Sequence, residues 1–348
     1  MGGAVAPVVL GPNLLHRFYR GGSAIAAFRG IAVNDERVPE DWVGSTTASF
    51  GSAAEGLSRL PDGRLLRDAV AADPVGFLGP EHVRAFGADP ALLVKLLHAA
   101  ERLLVHCHPD VAFARRHLGC AHGKTEAWIV VATEGPRPQV HLGLRQGLDQ
   151  ARLRHLVLEQ DVSALLASLW AVPVGPGDTV LVPAGVPHAV GAGVLLVELQ
   201  EPTDFSVLLE WAGFPVDGLE HGHLGLGYDL ALDCVDRSPW SAERLAGVRG
   251  HWDRATPVGP GVARLFPAAA DPFFRAQAVR PAPAAALDPA YSILVVTAGA
   301  GRLEAGAGAI EVAAGQTILI PHGAGPVTVR GAGLEAVRCL PPEPPERP

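Results

Sequence analysis

Three histidines, one acidic residue and their spacing are the features of this sequence that first suggest chemistry. His106 and His108 flank one cysteine, and residues two apart on a β-strand point to the same face of the sheet. Glu126 begins an apolar stretch, and His188 ends the run PAGVPH. Three imidazoles and one carboxylate can fill four positions around a divalent cation and leave room for a substrate. The sequence therefore predicts a metal site with His106, His108, Glu126 and His188 as its ligands.

The segments that must position these residues have the pattern of β-strands. Short runs rich in Val, Ile and Leu, bounded by Gly, Pro or Asp, predict strands at 127–132, 139–144, 179–182, 194–199, 292–296 and 317–320. Leucines at helical spacing predict helices at 149–159 and 162–169, and the segment 91–104 fits either structure. The chain is therefore expected to be mainly β, with a few peripheral helices.

One short pattern occurs twice and indicates the domain organisation. GDTVLVPAG at 177–185 and GQTILIPHG at 315–323 share Gly, Thr, Leu, Pro and Gly at a separation of 138 residues. A repeat at this spacing indicates two copies of one β-domain. The first copy resembles the second motif of the cupin superfamily, whose small β-barrels hold a metal inside. We therefore expect two cupin-type, jelly-roll β-barrels: a catalytic metal-binding domain with an N-terminal segment at 1–245, a degenerate second domain at 246–340, and a disordered tail at 341–348.

The second copy of the repeat has lost the residues that would bind a metal. Pro326 stands where the first copy has His188, His322 falls four residues before it, and no His-X-His pair accompanies it. The second domain is therefore expected to be structural. His221 and His223 have the same spacing as the first pair, but a Gly-rich surrounding without a strand pattern predicts a loop there.

Composition and charge argue against several classes of function. The chain has 348 residues, of which 48% are hydrophobic and 18% charged, with a net charge of −8 at pH 7. These values are typical of a globular protein, and the absence of basic runs argues against nucleic acid and anionic membranes as partners. No stretch is apolar enough to span a membrane, and the start of the chain lacks the pattern of a secretory signal. The four cysteines are expected to be buried free thiols in a reducing cytoplasm.

Longer stretches of the sequence resemble a known family. They are LLVKLLHAAERLLVHCHPD at 92–110, HGKTEAW at 122–128, PVGPGDTVLVPAGVPHAVGAG at 173–193 and VELQEPTD at 197–204, with EDWVGS at 40–45. In this order they resemble the type I mannose-6-phosphate isomerases, which are two-cupin, zinc-dependent sugar-phosphate isomerases. The family usually has glutamine where His106 stands. Because an imidazole there changes the donor set, zinc is the first expectation for the metal, with manganese, iron or nickel as alternatives.

The resemblance also implies residues that act on the substrate. By motif these are Lys124 and Glu198, either of which would serve as the proton-transfer base, while Asp204 would bind sugar hydroxyls or orient a neighbour. Lys95 and Lys124 are the only lysines among 28 basic residues, and both lie in the motif segments. Two lysines in a chain that otherwise uses arginine suggest positions that need a compact ammonium able to lose its proton.

One departure from the family concerns the binding of a phosphate group. The family carries an arginine downstream of its PAGxPH histidine, next to the substrate, whereas this chain has Val207 and Leu208 in that region. A guanidinium fork is a natural partner for a phosphate. Arg20 and the pair Arg115 and Arg116 are the arginines nearest the motifs that could take its place.

The sequence thus predicts a metal-dependent aldose–ketose isomerase that interconverts a hexose or hexose phosphate, of the mannose 6-phosphate and fructose 6-phosphate type, through an enediol. Its partner is a small-molecule sugar or sugar phosphate. Three alternatives stay open. They are an isomerase of an unphosphorylated sugar, a non-catalytic sugar-binding cupin, and an oxygen-using cupin that holds Fe(II) or Mn(II) with three His and one Glu.

Overall fold

The computed structural model describes residues 6–344, which form more strand than helix. The strands are β1 (Val8–Leu10), β2 (Leu14–Leu15), β3 (Glu40–Val43), β4 (Leu93–Ala99), β5 (His106–Cys107), β6 (Glu126–Thr133), β7 (Gln139–Leu144), β8 (Leu169–Pro173), β9 (Asp178–Val182), β10 (His188–Val190), β11 (Val194–Gln200), β12 (Val207–Leu208), β13 (Arg249–His251), β14 (Thr256–Gly259), β15 (Val262–Arg264), β16 (Arg275–Val279), β17 (Ala284–Leu287), β18 (Ser292–Ala298), β19 (Ala300–Ala305), β20 (Gly308–Ala313), β21 (Thr317–Ile320), β22 (Val327–Arg330) and β23 (Glu335–Leu340).

The helices are short and lie between the strands. They are α1 (Ser23–Arg29), α2 (Leu66–Ala72), α3 (Pro74–Leu78), α4 (Pro80–Phe86), α5 (Val111–Phe113), α6 (Gln150–Leu158), α7 (Val162–Ser168), α8 (Gly218–His221), α9 (Tyr228–Ala231) and α10 (Ala242–Gly247). The predicted strands and the two predicted helices are confirmed, and the ambiguous segment 91–104 contains β4, a strand. Within the described residues, no helix is long and apolar enough to cross a membrane.

The strands form four antiparallel sheets. A five-stranded sheet has the order β12-β5-β10-β7-β8, and the first seven-stranded sheet has the order β13-β9-β6-β11-β4-β3-β2. The second seven-stranded sheet has the order β1-β21-β18-β23-β16-β15-β14, and a four-stranded sheet has the order β17-β22-β19-β20. The expectation of a mainly β chain is confirmed at this level, as several antiparallel sheets with more strand than helix.

The sheets are stacked face to face around separate apolar cores. One core lies between the five-stranded and first seven-stranded sheets, a second between the two seven-stranded sheets, and a third between the second seven-stranded and four-stranded sheets. A fourth core packs α6 and α7 against the outer face of the five-stranded sheet. The first seven-stranded sheet is therefore covered on both faces.

Each half of the chain contributes one strand to a sheet formed mainly by the other half. β1, near the start of the chain, pairs with β21, and β13, which follows the predicted boundary at 245, pairs with β9. Part of the expected tail at 341–348 is described: the Glu343 amide donates a hydrogen bond to the Asp271 carbonyl at 2.9 Å. Residues 345–348 of that expectation lie outside the described residues.

A buried ion pair joins the strand β3 to the second seven-stranded sheet. Arg29 Nε lies 2.9 Å from Asp41 Oδ2, and the two side chains are 3% and 0% exposed. The same guanidinium donates to the Thr317 hydroxyl on β21 at 2.8 Å, while Asp41 accepts the Asn13 amide at 2.7 Å. These contacts hold β3 in place at the seam between the two seven-stranded sheets.

The substitution Arg29→Met is expected to lower the free energy of unfolding by about 3–5 kcal/mol, because it leaves a buried carboxylate without its cation. The double variant Arg29→Met/Asp41→Asn, which removes both charges, should recover part of that loss. Urea denaturation of both variants measures the two values. Equal losses in the single and double variants would show that the unpaired Asp41 carboxylate is not what destabilises Arg29→Met.

Candidate metal and active site

The inner faces of the five-stranded and first seven-stranded sheets carry the candidate site. In β11, Leu195, Val197 and Leu199 pack into the core between the seven-stranded sheets, so Glu198 points the opposite way. The same alternation turns Lys95 on β4 toward Glu198, its partner in register. Together these side chains line a cavity of about 370 Å³ between the two sheets.

The three predicted histidines meet at this cavity, which His106 and His188 line and beside which His108 is buried. His106 and His188 are paired across β5 and β10, and His108 follows β5 directly. Ligand atoms of the three imidazoles lie within 4.8 Å of one another. His108 and His188 are almost fully buried, and His106 is partly exposed to the cavity. The structure therefore brings together residues that the sequence predicted from their spacing.

Backbone carbonyls fix the orientation of all three rings. The Nδ1 atoms of His106, His108 and His188 lie 2.9, 2.7 and 2.8 Å from the carbonyl oxygens of Leu104, Phe205 and Val186. Because a carbonyl only accepts, each Nδ1 carries the proton and each Nε2 keeps a lone pair directed into the cavity. This is the arrangement in which protein histidines bind metals.

Glu126 completes the set of donors at this point. Its carboxylate lies 3.0 Å from His108 Nε2 and 3.3 Å from His188 Nε2, and it accepts the Trp128 indole N–H at 3.0 Å. Burial and the Lys124 ammonium lower the pKa of His108 to about 3, so this ring stays neutral. Acceptor atoms at such distances repel unless a positive charge lies between them.

The residues present therefore fit a divalent cation. His188 Nε2 is buried without a hydrogen-bond partner, and Lys124 Nζ lies 3.1 Å from His108 Nε2 and 3.3 Å from Glu126 Oε2. The donor set thus already attracts one positive charge, that of an ammonium. Three imidazoles and a carboxylate suit zinc, and they also suit manganese, iron or nickel.

A row of charged side chains leads away from the histidines across the sheet. Lys95 Nζ lies 3.5 Å from Glu198 Oε1 and 3.7 Å from Glu40 Oε2. Burial raises the pKa of Glu198 to about 7, although the nearby Lys95 ammonium opposes the rise. Burial would also lower the pKa of Lys95, but the carboxylates of Glu40 and Glu198 outweigh it and raise that pKa.

The far end of the row contains residues that the sequence analysis did not single out. Glu40 lies 3.0 Å from Arg17 Nη2, accepts the Trp42 indole N–H at 2.6 Å, and accepts a hydrogen bond from the Tyr19 hydroxyl. Arg17 Nη2 also lies 3.3 Å from Asp204 Oδ2. The EDWVGS segment at 40–45 was the one signal for Glu40 and Trp42, and single aromatic and basic residues gave none for Tyr19 and Arg17.

The arginines that the sequence suggested as partners for a phosphate lie outside the cavity. Arg20 is exposed and pairs with Glu101 at 3.1 Å, and Arg115 and Arg116 are exposed on a single turn at Ala114–Leu118. None of the three lines the cavity, whereas Arg17 does.

The remaining histidine candidates are not part of the donor set. His221 ends the short helix α8 rather than lying in a loop, and it lines the cavity without joining the three imidazoles. In the second repeat, His322 lies in a single 3-10 turn, His322–Ala324. Among residues 6–344, only the first repeat contributes to a cluster of metal-binding side chains.

The four cysteines are free thiols, as expected. The expected burial is confirmed for Cys107 and Cys339 and is wrong for Cys120 and Cys234, which are partly exposed. Cys107 lies between His106 and His108, and its Sγ is 3.6 Å from that of Cys234.

Comparison with known proteins shows which proteins this chain is similar to. The chain is 30% identical over 195 residues to the mannose-6-phosphate isomerase of Streptococcus mutans, a match of 55% of this chain and 56% of that protein. It is 27% identical over 202 residues to the mannose-6-phosphate isomerase ManA of Bacillus subtilis, which covers 57% and 58% of the two chains. The chain thus spans little more than half the length of the curated relatives it matches. No protein-family model matches it.

Solved structures match along almost the whole chain. The mannose 6-phosphate isomerase from Bacillus subtilis superposes with a TM-score of 0.72 at 20% identity and covers 96% of this chain and 99% of its own. A mutant of phosphomannose isomerase from Salmonella typhimurium superposes with a TM-score of 0.73 at 17% identity, covering 97% and 100%. The resemblance to the mannose-6-phosphate isomerase family is confirmed. At these identities the structural matches establish that family's fold for this chain, and the donor set described above lies within it.

His188→Ala is expected to remove bound metal, because it deletes one of three converging imidazoles. Zinc content per chain, measured by mass spectrometry after dialysis, should fall from near one to near zero in this variant. His221→Ala is the matched control, since His221 lines the same cavity outside the donor set and should leave the metal content unchanged. Unchanged metal in His188→Ala would show that the site lies elsewhere.

Glu198→Gln is expected to stabilise the metal-free protein at pH 8 and to change it little at pH 4.5. A carboxyl group whose pKa is about 7 when folded and 4.5 when unfolded destabilises the fold once it ionises. The loss develops as the pH rises from the unfolded value to the folded one, and it reaches the order of 3 kcal/mol. Urea denaturation at the two pH values tests this. An equal gain in the free energy of unfolding at both pH values would mean that ionisation of Glu198 does not cause the gain.

Proposed function

We propose that this chain is a metal-dependent aldose–ketose isomerase, an intramolecular oxidoreductase for a hexose or hexose phosphate of the mannose 6-phosphate and fructose 6-phosphate type. The observation that carries the proposal is the convergence, around one cavity, of three imidazoles that could hold a metal, Glu126 beside them, a buried carboxylic acid of raised pKa and two lysines. The relatives named above carry the same activity in their names.

His106, His108, Glu126 and His188 would hold the metal, for which zinc is proposed first and manganese, iron or nickel as alternatives. When bound, the cation would polarise the oxygen on C1 or C2 of the sugar. The chain's own contribution is to keep the donor atoms fixed, because the carbonyls behind the imidazoles prevent the rings from turning.

Glu198 is the proposed base for the transfer of hydrogen between carbons. Its Oε1 is buried and makes no hydrogen bond within residues 6–344, and a pKa of about 7 suits a group that both accepts and returns a proton near neutral pH. The carboxylate would take the proton from C2 of the aldose and return it to C1 of the enediol. One hydroxyl proton moves from the C2 oxygen to the C1 oxygen in the same conversion, so atoms and charge balance.

The lysines and Asp204 have separate proposed roles. Lys124 lies beside the donor set and is placed to exchange protons with the substrate oxygens. Lys95 orients Glu198 and carries the balancing charge. Asp204 accepts the Phe50 amide at 3.2 Å and contacts Arg17, at the end of the cavity where sugar hydroxyls would lie. Apolar residues such as Leu97, Val190 and Leu208 line the same cavity and would limit the access of water to the enediol.

The two sheet pairs are proposed to be cupin-type barrels, with residues 1–245 and 246–340 as the two domains. The repeated motif falls on β9 in the first pair and on β21 in the second, which supports this division. A cytoplasmic location is proposed because the cysteines are free thiols, one of them between two metal ligands.

Proton NMR in deuterated water tests the function. Metal-loaded protein incubated with mannose 6-phosphate, or separately with mannose, should form the ketose and introduce solvent deuterium next to the carbonyl, since an enediol intermediate exchanges with solvent. Saturable sugar binding without exchange would instead support the non-catalytic sugar-binding alternative. Turnover of mannose alone would support an isomerase of unphosphorylated sugars.

Lys124→Arg is expected to lower turnover by about 100-fold or more, because a guanidinium keeps its proton at all relevant pH values and cannot relay it. Metal content and circular dichroism should stay unchanged, since the positive charge is kept. Lys95→Arg is the comparison, in which an ion-pairing role predicts a smaller loss. Full turnover in Lys124→Arg would return Lys124 to a structural role.

A further inference from the structure

Arg17 is the one guanidinium among the residues that line the cavity, and it lies at a defined end of it. The strand order β6-β11-β4-β3-β2 places Glu126, Glu198, Lys95 and Glu40 in a row across the first seven-stranded sheet. Arg17 follows β2 and contacts Glu40, so it ends the row whose other end is a proposed metal ligand. A hexose whose C1 and C2 oxygens lay at the metal would therefore direct its far end toward Arg17.

The guanidinium of Arg17 retains donors for a further ligand. Its hydrogen bonds to Glu40 and Asp204 all run through Nη2, at 3.0 Å for Glu40 and at 3.3 and 3.5 Å for Asp204. Within residues 6–344, Nη1 and Nε have no protein partner, and the side chain is 16% exposed. A planar guanidinium with free N–H groups suits an oxyanion such as a phosphate.

Arg17 contacts the two carboxylates Glu40 and Asp204, and other basic groups lie on the same side of the molecule. Arg17 also lines a surface depression of about 520 Å³ together with His16 and Arg37, so further basic groups lie beyond the end of the cavity. The nearby carboxylate Glu40 already accepts from Tyr19, Trp42 and Arg17, and it does not need the remaining donors.

We propose that Arg17 is the specificity-determining residue that binds the anionic terminal group, a phosphate monoester, of the substrate. This inference rests on the proposed isomerase function and concerns the residue that would recognise the phosphate. The apolar side chains of Val207 and Leu208, both buried, leave the opposite strand β12 without a group for that role.

The test compares Arg17→Gln, Arg17→Lys and Arg20→Gln with the unchanged protein. KM for mannose 6-phosphate should rise about 10- to 100-fold in Arg17→Gln, the loss expected for a charge-assisted hydrogen-bond pair. A loss that Arg17→Gln causes through Glu40 and the row of charges should affect both sugars alike, so the ratio of kcat/KM for mannose 6-phosphate to kcat/KM for mannose isolates the phosphate contact and should fall about 10-fold or more. Arg17→Lys, which keeps a point charge without the fork, should give an intermediate KM for the phosphate ester. Arg20→Gln, an exposed arginine of the same segment, should leave both substrates unaffected.

Three kinetic results would overturn the proposal. One is an equal fall in kcat/KM for mannose 6-phosphate and for mannose, which would make Arg17 a structural partner of Glu40 and Asp204. Another is the absence of any preference for the phosphorylated sugar in the unchanged protein. The third result applies if Arg17→Gln does not fold: it is a KM for mannose 6-phosphate in Arg17→Lys that equals the KM of the unchanged protein.

Binding of inorganic phosphate, followed by calorimetry on the metal-free protein, separates this inference from the proposed function. Phosphate binding that disappears in Arg17→Gln and persists in Arg20→Gln supports the anion site even if no sugar is isomerised. Phosphate binding that persists unchanged in Arg17→Gln overturns the inference, even if the isomerase activity is confirmed.

Discussion

A carboxylate buried against imidazole nitrogens that carry no proton is the interaction on which the rest of the structure depends. Glu126 faces His108 and His188 at about hydrogen-bonding distance, although neither side of those contacts has a hydrogen to donate. Burying such a charge unpaired costs several kcal/mol, so the fold must supply a cation there. The ammonium of Lys124 meets part of this need, and a divalent cation would meet all of it. The packing around the cavity serves to keep these acceptors together.

Alternation along the strands of the first seven-stranded sheet provides that packing. In β11, Val197 and Leu199 face one core, while Glu198 between them faces the cavity. In β4, Leu96 faces the same core and Lys95 faces Glu198. Because the period is two, a register slip of one residue would turn these charged side chains into the apolar core and the core residues toward the cavity. The site and the core are therefore specified by the same pairing of strands, and neither can shift alone.

The sequence predicted the strands and the donor set because both depend on local patterns. His106, His108 and His188 could be placed by spacing and by motif. The strands could be predicted from the residue types along each segment, without knowing which strands pair with it. Arg17 could not be found that way, since it reaches the cavity only because β2 and β3 pair alongside β4, far away in the chain. Arg20, in the same segment, has the same chemistry but turns to Glu101. No local pattern distinguishes the two.

The row of charges also explains how one lysine lies between two carboxylates whose pKa values shift in opposite directions. Although burial opposes it, Arg17 and Lys95 hold the pKa of Glu40 well below its usual range, and the Tyr19 and Trp42 donors add to this. Glu198 shares the same lysine but has none of these donors, so burial prevails and its pKa rises. Environments that separate two such values leave one group ionised and let the other exchange protons. Weakening the donors on Glu40 would therefore change the ionisation of Glu198 through Lys95, without any contact to it.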